Sequence, residues 1–396
     1  MSQVIIVGAG PVGLALALRL GGMGIHATVL EALDAPERDL RASTFHPPTL
    51  DLLDEDGITP QLIANGLIAP TWQVRMHATG EAAEFDLSIL KEHTRHPYRV
   101  QCEQWKLVDY LIARIESAYP QVSLRFGYRV LALEEHADGV TAMCDTADGT
   151  QQFTAPYVVG CDGARSVVRK HLNLTFEGET FPETVILAAT PFPFHQHMPG
   201  LSTINYCWSD TGTFSLLRLP QLWRVSLYPD EGESIEAALE DETIERKLQR
   251  ICPQATRYTI TAKRAYRIHQ RVVARYRVGR CILAGDAAHI NSPSGGMGMN
   301  GGLHDAFNLA GNLALTLKTG DDAPLDHYER QRRPVALEHV LAQSGKNRAR
   351  MQERDPARRA AALADLQAIT RDPARALKHL LNTSMISGLK QSEAIE

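Results

Sequence analysis

The chain of 396 residues is long enough for two or three domains of about 150 residues each. Hydrophobic residues make up 44% of it and charged residues 22%, a globular balance that excludes a disordered or fibrous protein. The net charge of -5 gives no basic field to attract a nucleic-acid backbone, so we expect no nucleic-acid partner.

The cysteine and hydropathy patterns exclude two further classes of protein. The six cysteines are widely spaced and form no CxxC pair, so the sequence predicts no metal site. No apolar run approaches the roughly 18 residues that a membrane span needs, and the N-terminus lacks the basic region of a signal peptide. We therefore expect a cytoplasmic protein without integral membrane association.

The N-terminal segment reads as strand, helix, strand. Residues 4–7 and 26–30 are β-rich, and 12–20 is an apolar run rich in Ala and Leu. Between the first strand and the helix lies the motif Gly8-Ala9-Gly10-Pro11-Val12-Gly13, and Glu31 ends the second strand. Such glycines let the backbone approach a pyrophosphate at a helix N-terminus, and the glutamate accepts hydrogen bonds from a ribose. The segment predicts a dinucleotide-binding unit for NAD or FAD.

Further along the chain the pattern becomes β-rich. Residues 122–159 are interrupted by Asp138-Gly139 and Asp148-Gly149, dipeptides typical of hairpin turns, which predicts an antiparallel meander. Alternating runs at 213–219 and 223–228 predict a separate sheet.

The remaining elements suggest a return to the first domain. Residues 278–283 read as a buried strand, 303–317 as a helix, and the charged, Ala/Leu-rich tail from 328 onward as helical. We predict four segments in chain order: a dinucleotide-binding part at 1–175, an inserted domain at 176–270, a return segment at 271–330 and a C-terminal helical region at 331–396.

Two acidic residues follow buried strands. Asp162-Gly163 ends an apolar run and precedes Arg165, while Asp286 follows the run 281–284; ligands of α/β sheets gather at such strand ends. A glycine-rich loop at 292–300 then leads into a helix. Its backbone allows a flat ligand to approach, and the helix N-terminus stabilises negative charge.

These three elements, in this order, resemble the class A (single-component) FAD-dependent monooxygenases, typified by p-hydroxybenzoate hydroxylase and hydroxyphenylpropionate hydroxylase. The spacing match runs to about Pro334. The resemblance implies an α/β fold with a glutathione-reductase-type, Rossmann-like FAD-binding domain, an inserted α+β substrate domain and C-terminal helices.

The resemblance also implies the cofactor contacts. Glu31 would bind the adenosine ribose, Val130 would lie near adenine, and Asp286 would bind the ribityl chain. Arg41 and Gln104 would contact the diphosphate-ribityl region, although a solvated arginine and a simple helix N-terminal residue fit these two positions equally well. The full set of predicted FAD-binding residues is Gly8, Gly10, Pro11, Val12, Gly13, Glu31, Arg41, Gln104, Val130, Asp162, Gly163, Arg165, Asp286, Pro293, Gly298, Met299 and Asn300.

The implied reaction uses NADH or NADPH as a transient electron donor, for which Asp162 and Gly163 would serve a second time. Reduced FAD and O2 would form a C4a-hydroperoxide that hydroxylates a small phenolic or heteroaromatic substrate, and a homodimer is compatible with the family. Three alternatives stay open: a non-catalytic interaction protein that kept the FAD-type fold, a flavin oxidoreductase without hydroxylation, and an NAD-dependent dehydrogenase. A flavin-dependent halogenase is rejected because no two of the four tryptophans are two residues apart.

The substrate site lacks a guiding motif. In the strand around Tyr206, residues 202, 204, 206 and 208 share one face and 203, 205 and 207 the other, so either face fits a pocket. Tyr206 is a candidate for a proton relay, and a core tyrosine is the competing interpretation. Arg218 is a candidate for binding a substrate carboxylate, against a solvated strand arginine. Pro293, in the flavin loop, is a further catalytic candidate.

Overall fold

The strand–helix–strand segment forms the centre of a six-stranded sheet in the computed structural model, which describes residues 2–39 and 42–396. Helix α1 (Pro11–Gly22) connects two neighbouring parallel strands, and the sheet carries helices that bury its apolar strands. The sheet order is β18–β19–β12–β1–β2–β8, with β1 Val4–Val7, β2 Ala27–Glu31, β8 Val122–Phe126, β12 Tyr157–Gly160, β18 Arg277–Val278 and β19 Cys281–Leu283.

The meander differs from the prediction at both ends. Only β9 (Arg129–His136), β10 (Gly139–Thr146) and β11 (Gly149–Ala155) form an antiparallel sheet, joined at the two Asp-Gly turns. β8 pairs in parallel with β2, and β12 pairs in parallel with β1. The physical reason for β12 is burial: it is a continuous apolar run buried on both faces, as parallel strands are, whereas β9 and β11 of the meander carry many exposed residues.

A second large sheet has eight strands in the order β20–β17–β13–β16–β15–β14–β5–β6. It extends beyond the inserted segment predicted at 176–270, since two of its strands come from residues 71–86 and one from 289–290. Its strands are β5 Thr71–Met76, β6 Ala82–Asp86, β13 Phe176–Thr190, β14 Ile204–Ser209, β15 Gly212–Arg218, β16 Trp223–Leu227, β17 Ala262–Val273 and β20 His289–Ile290.

A small sheet and the helices complete the fold. The sheet is β3–β7–β4, with β3 Thr44–Phe45, β4 Leu67–Ala69 and β7 Arg99–Gln101. The helices after α1 are α2 Pro47–Asp54, α3 Thr59–Asn65, α4 Gln104–Ala118, α5 Val167–His171, α6 Phe194–His197, α7 Ile235–Ala238, α8 Asp241–Ile251, α9 Met297–Thr319, α10 Ala323–Val335, α11 Ala342–Gln352, α12 Pro356–Arg371, α13 Pro373–Thr383 and α14 Ile386–Glu393. A π-helix, Ala336–Leu341, joins α10 to α11. No helix among the described residues is long and apolar enough to cross a bilayer.

Both faces of the eight-stranded sheet are covered. We call the face that carries Trp72, Ile204 and Tyr206 the inner face; it packs against leucines of α12 and α13. The opposite, outer face carries Phe214 and Leu216 and packs against α8. Because neither face is left to solvent, the alternation along these strands does not distinguish a pocket face from a core face.

Candidate functional site

The N-terminal glycines form a cradle in which each position has a different role. A Cβ at Gly13 would lie 2.0 Å from the carbonyl oxygen of Gly8, so this glycine is required for the helix to pack on the turn. Gly8 itself has φ +103 and faces Cys161. Gly10, in contrast, has extended backbone, and a Cβ there would have no described atom within 4 Å. The space beside Gly10, at the N-terminus of α1, is therefore open to a ligand.

Residues at the rim of the cradle hold its shape. The Glu31 carboxylate accepts hydrogen bonds from the backbone N–H groups of Ala9, at 2.8 Å, and Leu33, at 3.0 Å, so it is fixed beside the glycine turn. Pro11 and Val12 begin α1, and Val12 packs against Gly285. Gln104 begins α4, and its backbone N–H donates to Ala42.

Val130 and Arg41 are the two further residues predicted to contact the cofactor. Val130 is buried in β9. Arg41 lies outside the described residues.

Asp162 lies at the end of β12, next to the cradle. One carboxylate oxygen accepts a 2.6 Å hydrogen bond from the backbone N–H of Val167 at the start of α5. The other, Oδ1, is buried and has no hydrogen-bond partner among residues 2–39 and 42–396. Burial raises the pKa of this carboxyl group, against hydrogen bonds that lower it. An unsatisfied buried acceptor beside an open cradle is the expected feature of a ligand contact.

The two arginines near Asp162 differ in exposure and in their contacts. Arg165 is exposed, next to Gly163, which has φ +75. Arg169 is buried, and its guanidinium donates to the carbonyl oxygens of Ala287 and Ala164. Arg169 thus connects the Asp162 segment to the segment of Asp286. The sequence places Arg169 at this strand end together with Arg165, but it assigns Arg169 no contact; its bonds to Ala287 and Ala164 are visible only in the structure.

The glycine-rich loop is positioned by Asn300, which is fully buried. Its side chain accepts a hydrogen bond from the backbone N–H of His46 at 2.9 Å and donates to Thr44 and Gly296 at 2.8 and 2.7 Å. Asn300, in the first turn of α9, therefore fixes the glycine-rich loop against the segment of Thr44 and His46. Asp286 and Pro293 are exposed, and Gly298 and Met299 are partly buried in the first turn of α9.

The cradle fits a dinucleotide such as FAD on three observations. These are the open space at Gly10, the N-terminus of α1 next to it, and the Asp162 oxygen that has no partner among the described residues. The residues that could hold the cofactor are those of the cradle, its rim and the glycine-rich loop. No cluster of three or more His, Cys, Asp or Glu suited to a metal occurs in the described ranges.

A pocket lies between the inner face, the glycine-rich loop and the C-terminal helices. The space between the lining atoms, open solvent at the mouth included, is about 390 Å³. The lining residues are Trp72, Arg99, Tyr206, Gly295, Asn347, Arg350, Met351 and Thr383.

Tyr206 is the sequence candidate that lines this pocket. Its hydroxyl interacts with the backbone of Gly295 in the glycine-rich loop, which places the two predicted sites side by side. Burial raises the pKa of Tyr206, while Arg99 and Arg350 lower it. The hydroxyl is therefore protonated at neutral pH and is able to donate or relay a proton.

The other substrate candidate, Arg218, is not among the lining residues. It pairs with Trp223 and shares the outer face with Leu216, on the side of the sheet away from Tyr206. The arginines that line the pocket are Arg99, on β7, and Arg350, on α11. Sequence reasoning missed both, because neither lies in a motif or in an alternating run.

A buried ionic network centred on Asp305 contacts Gly285, the residue against which Val12 packs. Asp305 on α9 accepts hydrogen bonds from Arg332, at 2.7 Å, and from the backbone N–H of Gly285, at 3.1 Å, and contacts the His289 ring at 2.7 Å. Burial opposes its ionisation, but His289 and Arg332 together lower the pKa of Asp305 to about 2. This network gives His289 a structural partner.

We expect Asp305→Asn to reduce the free energy of unfolding by about 3–5 kcal/mol, because it leaves a buried arginine without its counter-charge. The depressed pKa means that the stabilisation is complete above about pH 4 and is lost as the pH falls toward about 2. Denaturant titrations across this range should show the two proteins converging as the pH falls. A difference that does not change with pH, or one matched by Asp148→Asn on an exposed hairpin turn, would contradict the assignment.

Comparison with known proteins supports the cofactor site. The family model described as FAD binding domain matches residues 1–343. The chain is 34% identical over 370 residues to para-nitrophenol 4-monooxygenase of Pseudomonas sp. (strain WBC-3), covering 91% of this chain and 89% of the relative. It is 33% identical over 347 residues to 6-hydroxy-3-succinoylpyridine 3-monooxygenase of Pseudomonas putida (strain DSM 28022 / S16), covering 87% and 88%.

Solved structures of monooxygenases and hydroxylases also match this chain over most of its length. The crystal structure of p-nitrophenol 4-monooxygenase from Pseudomonas putida DLL-E4 matches with a TM-score of 0.92 and 32% identity, covering 98% of both chains. Aklavinone-11 hydroxylase, solved with FAD and aklavinone, matches with a TM-score of 0.79 and 27% identity, covering 89% of this chain and 69% of its own. These similarities confirm the predicted α/β fold with an FAD-binding domain and the predicted FAD cofactor.

Proposed function

Because the chain belongs to the FAD binding domain family and is an FAD-dependent aromatic monooxygenase, we propose that it hydroxylates a small phenolic or heteroaromatic ring with NADH or NADPH and O2. The observation that carries this proposal is the contact between Tyr206 of the inner face and Gly295 of the glycine-rich loop, in one pocket. A ring bound there lies next to the loop that the family resemblance assigns to the flavin ring. Two relatives are named for para-nitrophenol and 6-hydroxy-3-succinoylpyridine, both hydroxylated rings, which supports this substrate class.

The chain's own residues supply binding, orientation and proton transfer. Bound FAD would supply the redox chemistry, taking electrons from the nicotinamide nucleotide and passing them to O2. Trp72 and Met351 line the pocket with apolar surface and limit the access of water to the ring. The protonated Tyr206 hydroxyl acts as a relay: it accepts the proton of the ring hydroxyl while it gives its own proton to water at the pocket mouth, which makes the ring more electron-rich.

The test is a substrate screen with the purified flavoprotein. Phenol, 4-nitrophenol, 4-hydroxybenzoate and hydroxypyridine acids are offered with NADH and then with NADPH, under isotopically labelled O2. The expected result is faster NAD(P)H oxidation with at least one ring and a product that has gained one labelled oxygen atom. Hydrogen peroxide as the sole product with every ring would favour an oxidoreductase without hydroxylation. A colourless protein without flavin affinity would favour the non-catalytic alternative.

We further propose that Asp162 and Arg165 help to position the nicotinamide nucleotide. Asp162→Ala should slow the reduction of bound FAD by NAD(P)H about 10-fold, the value of one charge-assisted hydrogen bond, with a smaller effect on the reaction with O2. Stopped-flow traces of the two half-reactions measure this difference. Asp148→Ala, which changes an exposed Asp-Gly turn, is the matched control. Unchanged reduction in Asp162→Ala with FAD fully bound would remove this role.

We also propose that the protein is cytoplasmic and forms a homodimer. All six cysteines are free and lie within the described ranges, which supports a reducing compartment such as the cytoplasm. A homodimer, which the family resemblance allows, is tested by sedimentation of the holoenzyme.

A further inference from the structure

We propose that Arg99 and Arg350 together bind an anionic oxygen of the substrate, a carboxylate or a phenolate, so that the enzyme selects rings that carry negative charge. The inference rests on the proposed function in one respect, because it takes the pocket as the substrate site. It goes further by naming the charge of the substrate and the two groups that recognise it.

Arg99 has one buried donor that no described residue satisfies. It is 2% exposed, and its guanidinium donates to the carbonyl oxygen of Thr383 at 3.2 Å and lies 5.4 Å from the centre of the Trp72 ring. Its Nε is buried without a hydrogen-bond partner among the described residues. A buried guanidinium carries a desolvation cost that an acceptor in the pocket would relieve. Arginine suits this task because its planar donors match the two oxygens of a carboxylate.

Arg350 brings a second positive charge to the same pocket from α11. Burial lowers its pKa, and the group that raises it is Tyr206. Burial likewise lowers the pKa of Arg99 to about 10, so this arginine is still protonated at neutral pH. Within residues 2–39 and 42–396, neither guanidinium forms an ion pair with an Asp or Glu side chain.

The other titratable groups around the pocket do not cancel these charges. Burial, with Arg350 and Arg99, lowers the pKa of His379 to about 4, so this ring is neutral and stacks on Trp72. Burial also lowers the pKa of His46. Asp365, which acts on His379 from α12, is exposed and forms an ion pair with Arg375 at 3.1 Å. The described part of the pocket therefore carries two positive charges without a negative one.

The two arginines come from different parts of the chain. The match to the FAD binding domain covers residues 1–343, which include Arg99, whereas Arg350 and Thr383 lie beyond it. The C-terminal helices thus complete the substrate pocket and supply one of its two positive charges.

Equilibrium binding to the oxidised holoenzyme tests the proposal without NAD(P)H. The first ligand pair is 4-hydroxybenzoate and its neutral amide, 4-hydroxybenzamide, which tests a carboxylate. The second is 4-nitrophenol, measured at a pH where it is ionised, and 4-nitroanisole, which has no acidic proton and so tests a phenolate. The Kd is read from the perturbation of the flavin spectrum. We expect the anion of at least one pair to bind about 10- to 100-fold more tightly than its neutral partner.

Variants show whether the two arginines cause the preference. Arg99→Met and Arg350→Met should each remove most of the discrimination within the preferred pair, while affinity for the neutral member changes less than about 3-fold. Arg99→Lys should restore part of it. The Tm of the ligand-free holoenzyme should not fall in Arg99→Met, because an unpaired buried charge is replaced by apolar volume. Arg354→Met, which removes an exposed arginine just beyond α11, should leave all Kd values unchanged.

Three outcomes would overturn the proposal. The first is equal binding of anion and neutral analogue in both pairs by the wild-type protein. The second is an equal loss of affinity for both members of a pair in Arg99→Met, which indicates packing. The third is a preference for anions that survives both methionine variants. Because binding is measured without turnover, a failure of the hydroxylation screen would leave these results standing, and the two proposals fail separately.

Discussion

Replacing Gly10 with valine should yield a folded protein that purifies without FAD and has no monooxygenase activity. The backbone at Gly10 is extended, a conformation that valine adopts readily, and a Cβ there would meet no described atom within 4 Å. The protein therefore tolerates the side chain, whereas a pyrophosphate at the N-terminus of α1 would collide with it. The flavin absorbance per chain, with circular dichroism as the measure of folding, reports the two effects separately.

Neighbouring glycines supply the controls for this experiment. Gly13→Ala should fail to fold normally, because its Cβ would lie 2.0 Å from the carbonyl oxygen of Gly8. Gly311→Val, at an exposed helical position where a Cβ also meets nothing, should remain yellow and active. Gly10→Val with a normal FAD content would disprove the assignment of this turn to the cofactor.

The candidate residues of the cofactor site follow from the sequence because their determinants are local. The cradle and Asp162 each follow a buried strand directly and Glu31 ends one, so a short apolar run and its next few residues identify them as candidates. The sequence does not give the contacts between segments. Asn300 is predicted to contact the cofactor, and two of the three hydrogen bonds by which it holds the loop join it to residues that are distant in sequence. The bond from Arg169 to Ala287 is likewise seen only in the structure.

The substrate pocket could not be predicted from the sequence, because residues from distant parts of the chain line it. Trp72, Arg99, Tyr206, Arg350 and Thr383 come from different elements, and no local pattern relates them. Sequence alternation identified the two faces of β14 correctly but not which face lines the pocket, since both are covered. Because both faces are buried, the sequence alone does not distinguish Arg218, on the outer face, from an arginine that lines the pocket.

Replacing Tyr206 with phenylalanine should separate catalysis from cofactor binding. Tyr206→Phe should retain FAD and substrate-stimulated NAD(P)H oxidation, because the ring still packs against Trp72, whose ring centre lies 6.2 Å away. The variant cannot pass on the proton of the bound phenol, so the ring stays less electron-rich. Hydroxylation should slow by about 10²-fold, the usual contribution of one general acid–base group.

The decisive measurement is the product formed per NAD(P)H consumed, with hydrogen peroxide measured in parallel. In Tyr206→Phe this ratio should fall steeply while hydrogen peroxide rises, because O2 is reduced without transfer of oxygen to the ring. Tyr228→Phe removes one hydroxyl from a half-buried tyrosine just after β16, at a residue that lines a different cleft, and should keep the wild-type ratio. An unchanged ratio in Tyr206→Phe would assign this tyrosine to packing alone, and the proton of the phenol would then leave by another route.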